Sequence, residues 1–105
     1  VKEILFAGDS RERLRDFPLQ ARKKAGFQLQ RVQLGLEPED WKPMRSVGAG
    51  VREIRIWDEA GTFRVIYIAK LADGIVVLHA FKKKTQATSR KDADLAKARL
   101  KSLGA

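Results

Sequence analysis

The stretch VREIRIWDEAGTFRVIYI, residues 51–68, decides the fold. Val51 to Trp57 alternates apolar and charged side chains, Asp58-Glu59-Ala60-Gly61 supplies turn residues, and Phe63 to Ala69 alternates again. That pattern predicts a β-hairpin. Asp73-Gly74 marks a second tight turn, and Ile75 to Phe81 is the most apolar strand, so the three strands form an antiparallel meander. Partners across a hairpin sum to a constant. The first turn therefore pairs Trp57 with Thr62, Arg55 with Arg64 and Glu53 with Ile66. The second pairs Ala72 with Ile75, Ile68 with His79, Ile66 with Phe81 and Arg64 with Lys83. One face then gathers Glu53, Arg55, Arg64, His79 and Lys83, and the other Ile54, Ile56, Phe63, Val65, Tyr67, Val76, Leu78 and Ala80. The apolar face is the seat for helices, while a register off by one residue would exchange the faces of the strand concerned.

Toward the N-terminus, Val1 to Ala7 reads as a short strand and Gly8-Asp9-Ser10 as a turn with a helix N-cap candidate. Ser10 to Asp16 is a short charged helix. Asp16-Phe17-Pro18 opens a second helix, because proline is tolerated in a first turn where its missing N–H costs nothing. Ala21, Ala25, Leu29 and Val32 form its apolar stripe and Gly35 stops it; Arg22, Lys23, Lys24 and Arg31 decorate it as on a solvated face. Residues 36–50 carry Pro38, Pro43, Gly48 and Gly50 and read as a loop. After a polar segment from Thr85 to Ser89, Arg90 to Leu103 returns to helical spacing, with Ala96, Leu100 and Leu103 in register. The expected architecture is α+β: an N-terminal helical hairpin and a C-terminal helix packed on one face of a small twisted antiparallel sheet. At 105 residues, positions 1–105 are expected to form a single domain.

Charge points to the partner. With 22 Lys and Arg against 13 Asp and Glu, the formal net charge is +9 and the sequence pI about 10.3. A polyanion, and among polyanions a nucleic acid, matches such a surface. The absence of cysteine removes disulfides and thiolate zinc sites, and the single histidine with no carboxylate cluster gives no metal site. No glycine-rich phosphate loop or nucleophile elbow occurs, so no cofactor is expected. The longest apolar run, Gly74 to Phe81, is too short to cross a bilayer, and the basic residues do not form one amphipathic helix; a cytoplasmic protein without a membrane partner is expected.

On the charged sheet face, Arg55, Arg64 and Lys83 repel one another unless Glu53 or a bound anion compensates, a local conflict that marks a candidate site. The run Lys82-Lys83-Lys84 adds cations at the strand end. His79 has two readings, as a packed, hydrogen-bonded residue or as an acid or base on the basic face.

Three blocks carry a family resemblance: Val51-Arg52-Glu53-Ile54-Arg55-Ile56, Thr62-Phe63-Arg64-Val65-Ile66-Tyr67, and Val77-Leu78-His79-Ala80-Phe81-Lys82-Lys83-Lys84-Thr85-Gln86. The chain resembles the phage-derived, HigB-like branch of the RelE/ParE toxin superfamily. The third block is the most specific, and the likeness extends to the last helix with Ala96 and Arg99. It departs at Ser89, where the family often opens that helix with proline. The resemblance implies a RelE-like fold and the toxin of a type II toxin–antitoxin system, an endoribonuclease that cuts mRNA on the ribosome. It also implies a cognate antitoxin, expected to be a helix-turn-helix DNA-binding protein. Arg55, Arg64, His79 and Lys83 are the catalytic candidates, and Arg52, Lys82 and Lys84 the nucleic-acid-binding ones. A ParE-like toxin that poisons DNA gyrase without catalysis is the alternative on the same fold; the basic cluster favours the ribonuclease.

RNA cleavage by the 2′-hydroxyl needs a base, positive charge around phosphorus and an acid for the leaving oxygen. Arg55 and Arg64 suit the second task, because guanidinium forks match phosphate oxygens. Lys83 serves as base if neighbouring cations lower its pKa, and His79 serves as acid or base without such a shift.

Overall fold

A computed structural model describes residues 1–69, 74–84 and 87–104. The chain runs β1 (Glu3–Phe6), α1 (Ser10–Arg15), α2 (Leu19–Gln33), β2 (Trp41–Pro43), β3 (Val51–Asp58), β4 (Gly61–Ile68), β5 (Gly74–Lys82) and α3 (Arg90–Ser102). The five strands form one sheet in the order β1-β5-β4-β3-β2. The fold is α+β, as the sequence implies. Two features differ from the expected arrangement.

First, the sheet is mixed: β1 pairs parallel with β5, Ile4 opposite Ile75 and Phe6 opposite Val77. The N-terminal helices carry the chain away from β1 before it re-enters the sheet, so β1 need not return antiparallel to a sequence neighbour. Second, the helices cover both faces. α1 and α2 pack on the side of Ile54, Ile56, Phe63, Val65, Tyr67, Ile75 and Val77, through Leu14, Ala21, Ala25, Leu29 and Val32. α3 packs on the other side through Ala96, Ala93 and Leu100, against Ile66, Ile68, Val76, Leu78 and Phe81. The charged face of the sheet is apolar enough, at Ile66, Ile68 and Phe81, to need a cover of its own.

The β3–β4 pairing matches the register read from the turn, with Trp57 opposite Thr62, Arg55 opposite Arg64 and Glu53 opposite Ile66. Between β4 and β5 the register differs by two residues: Ile66 faces His79 and Arg64 faces Phe81. It then shifts again, so that Tyr67 faces Val77 and Leu78 is the extra residue of a bulge. The bulge turns Leu78 and Val76 toward α3, correcting their expected place beside α2. A two-residue offset preserves parity, so the charged set still shares one face. The expected Ala72–Ile75 pair and the Asp73-Gly74 turn lie outside the described residues.

Helix ends follow local chemistry. Gly35, at φ +83°, closes α2 in a Schellman motif: its N–H donates to Val32 O at 3.0 Å and that of Leu36 to Arg31 O at 2.9 Å. Ser89 caps α3 by accepting from the Asp92 N–H at 3.1 Å, so the position where the resembling family often has proline here serves as the helix cap. Ser10 instead donates its hydroxyl to Val77 O at 3.1 Å, tying α1 to β5. Residues 41–43, expected within a loop, form an edge strand, where Pro43 is tolerated because a neighbour exists on one side only.

Candidate nucleic-acid interface

Neighbouring strands place Lys42 opposite Glu53, Glu53 opposite Ile66 and Ile66 opposite His79 in one row. Arg55, Arg64 and Phe81 make the next. Lys83 follows, its N–H donating to Thr62 O at 2.8 Å. Glu53 is the hub and is fully buried. Its carboxylate lies 3.4 Å from Arg64 Nε and 3.7 Å from Lys42 Nζ, and accepts a short hydrogen bond from the Thr88 hydroxyl.

Arg64 was expected on a solvated face; it is only 1% exposed. Its guanidinium stands 5.4 Å from the Trp57 ring centroid and donates to Phe63 O at 3.2 Å. Burial lowers its pKa from the ordinary arginine value while Glu53 opposes the shift. Arg55, half-buried, pairs with Asp40 at 2.9 Å, and the Trp57 indole donates to the other Asp40 oxygen at 2.6 Å. Those partners, Trp57 foremost, hold the Asp40 carboxyl below its usual range. Lys83 is half-buried, and its pKa is lowered by desolvation and then by Arg64, Lys42 and Arg55. Among the described residues, Lys42, Arg55, Arg64 and Lys83 thus face Glu53 and Asp40, four positive charges against two negative.

β1 ends opposite Val77, so beyond that point the same edge of β5 has no strand beside it. A cleft of about 620 Å³ wraps this open end between α1 and α3, and Arg13, Lys82, Lys83, Lys84 and Lys91 contribute to its walls. His79 also reaches this wall, although it is 2% exposed and covered by α3. Its Nε2 lies 2.8 Å from Asp92 Oδ1, and its ring stacks on Phe81 with centroids 5.0 Å apart. Burial lowers its pKa below 6.5 against the pull of Asp92, so at neutral pH the imidazole is uncharged and Nε2–H donates to the carboxylate. Nδ1 has no hydrogen-bond partner among the described residues.

The structure thus brings Arg55, Arg64, His79 and Lys83 to one sheet face, with Lys84 on the adjoining cleft. Arg52 and Lys82 point to the other face: Arg52 lies over Trp41 at 3.9 Å and pairs with Glu37 at 3.7 Å, and Lys82 Nζ stands 6.0 Å from the Phe63 ring. Sequence reasoning missed Lys42 and Thr88, both in segments read as irregular, where no period assigns a face. It also missed Asp92, although Ser89-x-x-Asp92 carries a visible capping signal.

Chemically, the cluster offers a concentrated positive field with three half-exposed cations, Lys42, Arg55 and Lys83, suited to a phosphate. Among the described residues no helix is long and apolar enough to cross a membrane. Among known proteins, the family profile described as Phage derived protein Gp49-like (DUF891) matches residues 12–101, from α1 into α3 and across the whole cationic cluster. No curated protein matches the chain.

Proposed function

The chain belongs to the Gp49-like family of phage-derived proteins, and from that premise we propose that it is a type II toxin of the RelE/HigB kind, a ribosome-dependent endoribonuclease that cuts messenger RNA. The observation that carries the reading is the gathering of Lys42, Arg55, Arg64 and Lys83 about the buried carboxylate of Glu53, with Lys83 on the wall of an open cleft. Such fixed positive charge stabilises the extra negative charge that develops on a phosphate under attack.

The residues divide the work by exposure. Arg55 and Lys83 reach solvent and hold the scissile phosphate. Arg64, sealed beneath them, adds field and fixes Glu53. Lys83, its ammonium weakened by burial and neighbouring cations, serves as the base: its amine takes the 2′-hydroxyl proton, the 2′-oxygen bonds to phosphorus, the bond from phosphorus to the 5′-oxygen breaks, and that oxygen takes its proton from water. The products are a 2′,3′-cyclic phosphate and a 5′-hydroxyl. Lys84, Lys91 and Arg13 track the RNA backbone along the cleft. His79 acts from beneath α3, holding the cleft wall through Asp92. With no exposed acid–base pair, the site relies on the ribosome to position its substrate. A cognate antitoxin, a helix-turn-helix protein, completes the pair on the strength of the RelE/HigB resemblance.

Mapping mRNA 5′ ends after induction in cells tests this reading. Cuts inside translated codons, absent with Lys83→Ala, are expected; intact mRNA accompanied by DNA breaks would point to gyrase poisoning and contradict it.

A further inference from the structure

α2 carries exposed apolar side chains on its outer face, with Lys23 and Gln30 between them, as well as a buried apolar stripe on its inner one. At about 100° per residue, Leu19, Phe27 and Leu34 fall within one quarter of the helix surface, opposite Ala21, Ala25 and Val32. All three are exposed, Leu19 at 51%, Phe27 at 52% and Leu34 at 58%. Across a groove of about 450 Å³ stands Trp57, 57% exposed, and Lys23 and Lys24 line the same groove. A solvated helix face does not need this stripe, and the core does not use it.

The charge on α2 itself has one sign. α2 carries Arg22, Lys23, Lys24 and Arg31 and no acidic residue. Among the described residues only Lys24 of these four is ion-paired, to Asp58 at 3.3 Å. Two carboxylates line the groove and both are engaged: Asp40 by Arg55 and Trp57, and Glu39 by Gln28 at 2.7 Å.

We propose that the outer face of α2, together with Trp57, is a docking site for an acidic amphipathic helix of a partner protein. From Leu19 to Leu34 the stripe spans about 22 Å, the length of a four-turn helix. Phe27 supplies the aromatic anchor at its middle, and glutamates flanking the partner's apolar stripe meet the unpaired cations. A second copy of this chain is a poor occupant, because two α2 helices would oppose cations to cations with no carboxylate on either. RNA is a poor one too, since the aliphatic ends at Leu19 and Leu34 offer phosphate nothing and only Phe27 would stack on a base.

The test uses a synthetic four-turn helical peptide with one leucine stripe flanked by glutamates, labelled for fluorescence anisotropy. Saturable binding at one peptide per chain is expected, weakening roughly tenfold or more in Leu19→Ser/Phe27→Ser, the loss typical of an anchor. Both positions are exposed, so circular dichroism and the thermal midpoint should stay as in the wild type. Equal binding of a scrambled peptide of the same composition, equal binding of a lysine-flanked version, or no saturable binding would overturn the proposal. So would a dimer in sedimentation equilibrium that Leu19→Ser/Phe27→Ser dissolves, or an oligouridylate that binds through Phe27 where the peptide does not.

Discussion

His79 Nε2 lies 2.8 Å from Asp92 Oδ1, so the chain's one histidine joins the central sheet to the first turn of α3. Because its folded pKa is lowered by burial, the unfolded chain binds the proton more readily. Stability is therefore complete above the unfolded value near 6.5 and falls as pH drops through it toward the folded value. Thermal unfolding between pH 8 and 5 should show this fall in the wild type and a shallower one in His79→Gln. Parallel slopes would remove the histidine from the account.

Arg64 and Glu53 form a buried pair at 3.4 Å, with neither residue more than 1% exposed. Arg64→Ala leaves the carboxylate with Lys42 and Thr88 and should cost about 3–5 kcal/mol, measured by urea unfolding. Adding Glu53→Gln should recover part of that loss, since the uncompensated charge is then gone. Loss of activity in Arg64→Ala alone thus reports folding as much as chemistry.

Arg99 links three elements: it donates to Leu78 O at 2.9 Å at the β5 bulge and pairs with Asp9 at 2.5 Å. Hydrogen bonds from Arg13 and Arg99 hold the Asp9 carboxyl down at about 2. Its stabilisation is present above the usual aspartate value and is lost as pH falls from about 4 toward 2. Arg99→Ala should cost about 1–3 kcal/mol at neutral pH, limited by the half-exposed carboxylate, and should flatten the acid limb of the stability profile.

Ribosome affinity should fall steeply with salt, because each Lys or Arg that meets phosphate releases counterions. Lys84→Ala/Lys91→Ala should lower the slope of log affinity against log salt by about two units, one for each lysine on the cleft. Leu78→Ala, a core change costing about 2–5 kcal/mol, should leave the slope alone. Sedimentation at graded salt reads both; a salt-indifferent wild type would remove the electrostatic argument.

What was legible in the sequence was whatever repeats locally. The alternation of residues 51–68 and their four-residue turn specify the β3–β4 register, and Ala21, Ala25, Leu29 and Val32 announce the buried side of α2. The shared face of Arg55, Arg64 and Lys83 survives because parity tolerates an offset of two. The Leu78 bulge leaves no mark on an apolar run, so the face of Val76 and Leu78 was not readable. Nor does α3's own pattern say which face of the sheet it covers, and that choice buries His79 and Arg64. Lys42 enters the site through a strand too short to show a period.

The most direct measurement is single-turnover cleavage of an mRNA held in programmed bacterial ribosomes, comparing wild type with Lys83→Ala. Lys83 is half-buried and has no ion pair among the described residues, so its removal should leave folding intact. Cleavage within the codon in the decoding site, slowed by two or more orders of magnitude in the variant across neutral pH, is the predicted result. An uncut mRNA with folded wild-type protein, or equal rates for the two proteins, would contradict it.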